Sequence, residues 1–217
     1  MPFNKPRTRA AQRIGPHSLN ILSLLIGSLL GDASAEKHGE GTRICFQQEH
    51  SNNGYLLWFN RQVADLGYCK NVTPNIHTRL GKGGKLRQLS RFKTFTYASF
   101  NWIEEAFYVK IESQRIKIVP PFVEEYLTPL ALAVWIMDDG GAVSSGLKIA
   151  TNNFTLIQVN LLCKIINCKY ELNARPVSAG VANQYIIYIP SSSMAVLAKI
   201  IWPHMHPSMY YKLNSYL

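Results

Sequence analysis

The sequence has few acidic residues and no long apolar run. Only 13 of its 217 residues are Asp or Glu, against 23 Lys or Arg, so the formal net charge is +10. The longest apolar run, from Ile21 to Leu30, is shorter than the roughly 18–20 residues that a membrane-spanning helix needs. It also begins too far from Met1 to suit a secretory signal peptide. We therefore expect no membrane span, and the excess of positive charge predicts a polyanion or an anionic membrane surface as a partner.

Cysteine is sparse and irregularly spaced. No CxxC pair and no nearby pair of histidines occurs among Cys45, Cys69, Cys163 and Cys168. We therefore expect reduced thiols in a reducing compartment. The histidines show no metal-binding spacing apart from His204 and His206, which we expect to be loop residues near a C-terminal turn.

The first 18 residues form a basic segment without an acid. They contain four cations, Lys5, Arg7, Arg9 and Arg13, and three prolines, Pro2, Pro6 and Pro16. The prolines disfavour the amphipathic helix of a transit peptide. The segment is therefore predicted to be a DNA-contacting arm or a loose tail.

Two apolar helices that end in aspartate are predicted half a chain apart. Ser18 is a plausible N-cap for a helix that ends near Asp32. Thr128 and Pro129 form a clearer start for a second helix, which ends near Asp139 where two glycines follow. Both helices are apolar nearly all round, which predicts burial.

The aspartates stand at an unfavourable end of their helices. An acid at a helix C-terminus faces the negative end of the macrodipole, which costs roughly 0.3–1 kcal/mol per charge. A bound cation, a buried hydrogen-bond network or plain solvation would offset that cost, and the stretch LAVWIMDDGG alone leaves all three open.

The segments that follow the two helices repeat in the same order. In the first half they are a strand at 43–50, a helix at 53–67, strands within 75–80 and 85–97, and a helix at 99–110. In the second half they are a strand at 147–153, a helix at 155–167, strands at 169–177 and 184–190, and a helix at 192–202. We interpret this as an α+β fold with the order α-β-β-α-β-β-α occurring twice.

The pattern divides the chain into four segments. They are a basic arm at 1–18, a first half at 19–110, a linker at 111–127 and a second half at 128–217. Alternating apolar and polar residues in the strands predict antiparallel sheets with one polar face. Faces this basic suit a phosphate-lined groove.

Two nonapeptides carry a family resemblance. LIGSLLGDA at 25–33 and LAVWIMDDG at 132–140 resemble the two motifs of the monomeric, double-motif LAGLIDADG homing endonucleases of organelle introns. The resemblance covers residues 19–217. It implies a pseudo-twofold protein whose two antiparallel sheets form a DNA-binding saddle, with the motif helices packed together at its centre.

Small residues permit the close helix packing that the resemblance implies. Gly27 and Gly31 are four residues apart in the first motif, as small-xxx-small pairing needs. The second motif departs from this pattern, with Val134 and Asp138 at the matching positions.

The resemblance implies a divalent-metal site at the motif acids, Asp32 and Asp139. Carboxylates suit a hard cation such as Mg²⁺, and two nearby metals can activate a water and stabilise the leaving oxygen. The peptide carbonyls of Gly31 and Asp138 resemble auxiliary ligands. We expect Mn²⁺ to replace Mg²⁺ in cleavage and Ca²⁺ to support only binding, with no nucleotide or organic cofactor.

The resemblance implies further catalytic residues, which match positions of the family. Lys117 in IKIVPP and Lys212 in MYYKL match pocket lysines that stabilise charge around the scissile phosphate. Gln47 matches a polar residue that positions water, and its counterpart is Asn152 or the neighbouring Thr151.

Basic and amide side chains on the strand candidates are expected to contact DNA, since they can read base edges in the major groove. The set comprises Arg43, Gln48, Arg79, Lys85, Arg87, Gln88, Arg91, Lys93, Lys148, Lys169, Asn173, Arg175 and Gln184.

The resemblance implies a monomeric, site-specific endonuclease that cuts both strands of an asymmetric DNA site of roughly 20 bp, about one helical turn per half. It also implies an organelle, mitochondrion or chloroplast, as the compartment. The first alternative is an intron maturase, an RNA-binding splicing factor on the same fold. The second is a DNA-binding module without catalysis, which the acid pair disfavours because acids near phosphates are repulsive without metal.

Overall fold

The computed structural model describes residues 8–84, 86–144, 146–214 and 216. The chain divides into two compact units, of which the first ends at Glu105 and the second begins at Ala106. No helix in the described ranges is long and apolar enough to cross a membrane.

The first unit contains one antiparallel sheet of four strands in the order β1-β2-β4-β3. Its helices and strands are α1 (Leu19–Leu30), β1 (Ser34–His38), β2 (Gly41–Glu49), α2 (Asn53–Asp65), β3 (Ile76–Leu80), β4 (Leu86–Lys93) and α3 (Asn101–Phe107), whose last two residues belong to the second unit. Short 3-10 helices lie at Ala10–Gln12, His50–Asn52, Lys82–Gly84 and Ala98–Phe100. Helix α2 packs against β2 and β4 on one face of the sheet.

The second unit repeats this order after a two-stranded hairpin. The hairpin is β5 (Tyr108–Ile111) and β6 (Gln114–Lys117), and a short helix α4 (Val123–Tyr126) follows. The repeat is α5 (Pro129–Asp139), β7 (Gly140–Val143), β8 (Gly146–Ala150), α6 (Leu156–Tyr170), β9 (Arg175–Ser178), β10 (Tyr185–Ile189) and α7 (Ser191–Ile201). Its antiparallel sheet has the order β7-β8-β10-β9. The α+β class and the doubled α-β-β-α-β-β-α order are therefore confirmed.

The motif helices α1 and α5 are buried along most of their length. The Ser18 side chain accepts a hydrogen bond from the Ile21 amide, and the Thr128 side chain accepts one from the Ala131 amide, so both predicted N-caps are present. Every residue from 21 to 30 and from 131 to 137 is buried. The two serines inside α1 are tolerated because their hydroxyls donate back to main-chain carbonyls, Ser23 to Leu19 at 2.7 Å and Ser28 to Leu25 at 3.1 Å.

Two segments differ from the pattern. The residues predicted as the last part of a helix and the first part of a linker form the β5–β6 hairpin instead. The strand predicted at 169–177 is mostly helix and turn, because α6 continues to Tyr170 and ends at Glu171, which has a left-handed φ of 55°. The Asn167 side chain then binds both the amide and the carbonyl of Ala174, so regular pairing begins only at Arg175.

The described part of the basic N-terminal segment packs on the first unit. Arg13 is buried, donates to the Thr96 carbonyl at 3.2 Å and lies 4.9 Å from the centre of the Phe95 ring. The His17 ring is hydrogen-bonded to the Tyr68 and Ser99 hydroxyls, and burial lowers its pKa. Arg13 and His17 thus anchor this segment on the first unit, whereas its contact with DNA stays a prediction, and Lys5 and Arg7 lie outside the described residues.

Helix α5 leads into strand β7 without a loop, and Gly140 makes that possible. The Gly140 amide donates to the Ile136 carbonyl as the helix ends. A Cβ at Gly140 would lie 2.5 Å from that carbonyl oxygen and 2.8 Å from the Ile136 Cγ2. The glycine that follows the second motif acid is therefore a steric requirement.

The substitution Gly140→Ala should destabilise the protein because the new methyl group overlaps the last turn of α5. We expect the free energy of unfolding to fall by about 1–3 kcal/mol, the usual range for overpacking. Gly141→Ala is the matched control, since its Cβ would meet only the flexible Lys148 side chain, at 3.4 Å. Urea unfolding of both variants measures the difference, and equal stabilities would contradict the steric explanation.

Candidate acid sites and nucleic-acid interface

The first motif acid is oriented by an amide side chain. Asp32 follows the C-cap of α1 and is exposed, and Gln48 Nε2 donates to its Oδ2 at 2.6 Å. Gln48 is only 8% exposed, and its own Oε1 accepts from Asn52 Nδ2 at 3.4 Å. Asn52 therefore holds Gln48, and Gln48 holds the carboxylate.

The alternation of β2 explains why Gln48, and not Gln47, makes this contact. Ile44, Phe46 and Gln48 are buried on the helix-covered side of the strand, whereas Gln47 and Glu49 are exposed on the other side. The prediction that Gln48 contacts DNA is not supported by this position, because its side chain is buried on the helix-covered side of the sheet. The period of two along the strand would have paired Gln48 with the core residues Ile44 and Phe46.

We call the uncovered side of the first sheet its open face. It is defined by Arg43, Cys45, Gln47 and Glu49 on β2 and by their neighbours across the sheet. The cross-strand pairs Glu36–Arg43, Cys45–Lys93, Gln47–Arg91 and Arg79–Arg87 place five of the predicted DNA-contacting cations on this face. A positive face of this kind is what a phosphate backbone attracts.

Two predicted residues of the first half differ from this set. Gln88 pairs with Thr78 and points to the opposite side of the sheet, where it is exposed because the β3–β4 hairpin extends beyond the core. Lys85 lies outside the described residues.

A cleft of about 380 Å³ beside Asp32 connects the acid to the open face, with Gln47, Arg79 and Arg87 in its lining.

The second motif helix ends in a buried lysine cap. Lys212 is 5% exposed, and its Nζ donates to the carbonyls of Ile136, at 3.2 Å, Met137 and Asp138, at 3.4 Å. It belongs to the 3-10 helix Pro207–Leu213, which is fastened nearby by the His206 amide donating to the Met137 sulfur. A cation at the carbonyl end of a helix is electrostatically favourable. Lys212 thus offsets part of the electrostatic cost of placing Asp138 and Asp139 at the C-terminal end of α5.

The position of Lys212 differs from what its implied role, stabilising charge at the scissile phosphate, would suggest. The residue does lie beside Asp138, at the acid-bearing end of α5, but its ammonium group is engaged by main-chain carbonyls in a buried setting. Lys117 is the last residue of β6, opposite Tyr108, and is half-buried. Asp138 and Asp139 are also half-buried.

The open side of the second sheet carries fewer of the predicted residues. Lys148, Tyr188 and Arg175 form one cross-strand row, with the Arg175 guanidinium 5.3 Å from the centre of the Tyr188 ring. The neighbouring row, Ala150, Ile186 and Val177, is apolar.

The other second-half residues are placed elsewhere. Lys169 is in α6 and donates to the Glu124 carbonyl at 2.6 Å, and Asn173 is in the following turn and donates to Ser193 at 3.3 Å. Neither is on a strand, because α6 continues to Tyr170 and regular strand pairing begins only at Arg175. Asn152 is exposed and donates to Gln184 at 2.9 Å. Thr151 is buried and donates to the Tyr185 carbonyl, so Asn152 is the better counterpart of Gln47.

The donor set fits a cation that takes few protein ligands. No group of three or more His, Cys, Asp or Glu side chains suited to a metal occurs within the described ranges. Mg²⁺ in phosphate-processing sites binds one or two carboxylates and completes its shell with water and substrate phosphate. An exposed carboxylate such as Asp32, held in place by Gln48 beside a basic face, suits that kind of site.

Known proteins resemble this chain over nearly its whole length. The model of the LAGLIDADG DNA endonuclease family matches residues 22–197. Cytochrome b mRNA maturase bI2 of Saccharomyces cerevisiae is 47% identical over 209 residues, which cover 94% of this chain and 49% of that protein. The protein of the same name from Debaryomyces hansenii is 43% identical and covers 99% of this chain and 78% of its own length. The chain thus spans about half the length of the S. cerevisiae relative.

A solved structure agrees with the fold. The homing endonuclease I-WcaI bound to its DNA recognition sequence superposes with a TM-score of 0.80 at 26% sequence identity. The match covers 96% of this chain and 94% of that one.

The buried cap predicts a stability role for Lys212. Lys212→Met keeps a side chain of similar length but removes the donor to the three carbonyls, so we expect the free energy of unfolding to fall by about 1–3 kcal/mol. Lys148→Met, at an exposed lysine of the same unit, should change it by no more than about 0.5 kcal/mol. Urea unfolding compares the two, and a Lys212→Met variant as stable as wild type would show that the cap is dispensable.

Proposed function

This chain belongs to the LAGLIDADG DNA endonuclease family, and we propose that it makes a metal-dependent double-strand break in a long, asymmetric DNA site. One observation carries the proposal. Each of two units with the same element order has a buried apolar helix that delivers a carboxylate to its C-terminal end, Asp32 after α1 and Asp139 at the end of α5. The matching family model is that of DNA endonucleases, and the need for a divalent metal is part of the proposal.

The open face of the first sheet is the proposed DNA surface of the first unit. Its five cations lie on three adjacent strands, so they can follow a phosphate backbone rather than a single anion. The structural neighbour at TM-score 0.80 is itself bound to its DNA recognition sequence. With about one helical turn per unit, the site would be roughly 20 bp long.

The chain's own residues divide the proposed catalytic work. Asp32 and Asp139 would hold Mg²⁺, and Gln48 would orient the Asp32 carboxylate. The exposed amides of Gln47 and Asn152 would position water, and Lys117 would stabilise charge at the phosphate. When bound, the ion would supply an activated water and stabilise the leaving oxygen.

Lys212 has a different part in this proposal. Because its ammonium group binds the carbonyls of the last turn of α5, it would position the Asp138–Asp139 turn rather than touch the phosphate. The Asp138 carbonyl, one of its acceptors, is therefore a weaker candidate metal ligand than the Asp139 carboxylate.

Intron splicing is the second candidate function. The two maturase relatives are 47% and 43% identical to this chain and cover nearly all of it, which favours an RNA-processing role for the same fold. Their names refer to cytochrome b mRNA, and on that basis we propose an organelle as the compartment and intron RNA as a further partner. A monomer remains the proposed state.

Cleavage should depend on the identity of the divalent ion. We expect the purified chain, incubated with a library of randomised duplexes, to cut a defined set of sites in Mg²⁺ or Mn²⁺. In Ca²⁺ it should bind the selected duplex without cutting it, since Ca²⁺ is larger and coordinates more loosely. Cutting that continues unchanged in excess EDTA would overturn the metal-dependent mechanism.

The same preparation separates the candidate functions. Faster excision of an intron from its transcript, alongside DNA cutting, would mean that the chain has both activities. Excision without cutting would replace the endonuclease proposal with the maturase. Selective DNA binding with neither activity would leave a binding module.

A further inference from the structure

One carboxylate on the open face of the first sheet gathers four donors. Glu36 accepts from Arg43 through Nε at 3.1 Å and Nη2 at 2.9 Å, from Lys93 Nζ at 3.1 Å, and from the Cys45 thiol at 3.1 Å. Glu36 and Arg43 are directly opposite each other on β1 and β2, and Cys45 is opposite Lys93 on β2 and β4. The cluster thus spans three strands on the face that we propose meets DNA.

The cluster keeps its protonation pattern over a wide pH range. The Arg43 guanidinium, with the thiol and Lys93, holds the pKa of Glu36 far below its ordinary range, so the acid stays charged. Burial and the neighbouring carboxylate raise the pKa of Cys45 to about 11, so the thiol stays a donor.

An isolated surface ion pair contributes little to stability, and a bidentate pair within a charge network can contribute more. On a face that attracts phosphates, however, a carboxylate is a liability for affinity. Its two parallel bonds to Arg43 do one specific thing, which is to fix the plane and direction of the guanidinium group. Arg43 is the less exposed of the paired arginines on this face, with a side chain 22% exposed against 57% for Arg87.

Because Glu36 binds one edge of the Arg43 guanidinium group, another edge of that group is directed away from the carboxylate. The carboxylate occupies the side edge, made of Nε and one N–H of Nη2. A guanidinium has five N–H groups, and the end edge consists of Nη1 and the second N–H of Nη2. That end edge matches the N7 and O6 acceptors of guanine in the major groove, the commonest specific contact between arginine and a base.

We propose that Arg43, held by Glu36, reads one guanine of the DNA site, and that Glu36 acts as a specificity-determining residue. The inference rests on the proposed DNA binding but not on cleavage. If Arg43 instead contacted a phosphate, removing Glu36 would raise affinity for every sequence alike and would leave base preferences unchanged.

The test measures binding in Ca²⁺ to a duplex selected by binding from a randomised library, and to a panel of that duplex with each base pair changed in turn. Wild type should discriminate against the change of one G·C pair by about tenfold to hundredfold, the scale of one bidentate contact. Glu36→Gln keeps the side-chain shape but loses the charge. It should reduce discrimination at that one pair to a few-fold, preserve it elsewhere, and bind nonspecific duplex more tightly.

Two further variants make the result decisive. Arg43→Ala should abolish discrimination at the same base pair, and it carries the test if Glu36→Gln folds poorly. Glu49→Gln, which breaks the ion pair with Arg87 elsewhere on the open face, should leave discrimination at that pair intact. Selective wild-type binding with an unchanged profile in both Glu36→Gln and Arg43→Ala would overturn the inference alone. Wild type without any sequence preference would overturn both it and the proposed function.

Discussion

The placement of a carboxylate at the negative end of a buried helix is the constraint on which the rest of the structure depends. Each motif helix is apolar nearly all round and buried along most of its length, so its end is fixed in position. An acid held there is well placed to bind a cation, but without one its charge interacts unfavourably with the helix dipole. The two units offset this differently. The first binds the carboxylate of Asp32 through Gln48, and the second binds the carbonyls of α5 through Lys212.

The two units are therefore alike in fold and unlike in electrostatics. The open face of the first sheet carries five of the predicted cations and includes two acids that pair with them, Glu36 and Glu49. The second sheet presents a single basic row beside an apolar one. Arginine suits guanine and phosphate, whereas apolar side chains suit the methyl group of thymine. Such a division fits a DNA site whose halves differ in sequence.

Local signals in the sequence were sufficient for the helices and for the doubled order. Thr128 and Pro129 start a helix by capping and by a preset φ, which depends only on neighbouring residues. Strand β7 and the β5–β6 hairpin escape such reasoning because their pairing depends on residues across the sheet or hairpin. Helix α6 is longer than predicted because the bonds of Asn167 to Ala174 in the folded chain, which no local signal reveals, shape its end. The same holds for Arg13, whose burial depends on contacts with Phe95 and Thr96. Gln48 could have been assigned from strand alternation, but the acceptors of Lys212, about 75 residues earlier in the chain, could not.

The most direct test of the central claim is to compare DNA cutting in Mg²⁺ with DNA binding in Ca²⁺ for Asp32→Asn, Asp139→Asn and Asp138→Asn. Neighbouring helix residues point about 100° apart, so Asp138 and Asp139 cannot both aim at one metal ion from a regular helix. Asp32→Asn and Asp139→Asn should each abolish double-strand cleavage and retain binding, while Asp138→Asn keeps substantial cleavage. Normal cutting by Asp139→Asn together with loss of cutting in Asp138→Asn would contradict the assignment of the two acids. Wild-type cutting by both Asp32→Asn and Asp139→Asn would contradict the acid sites altogether.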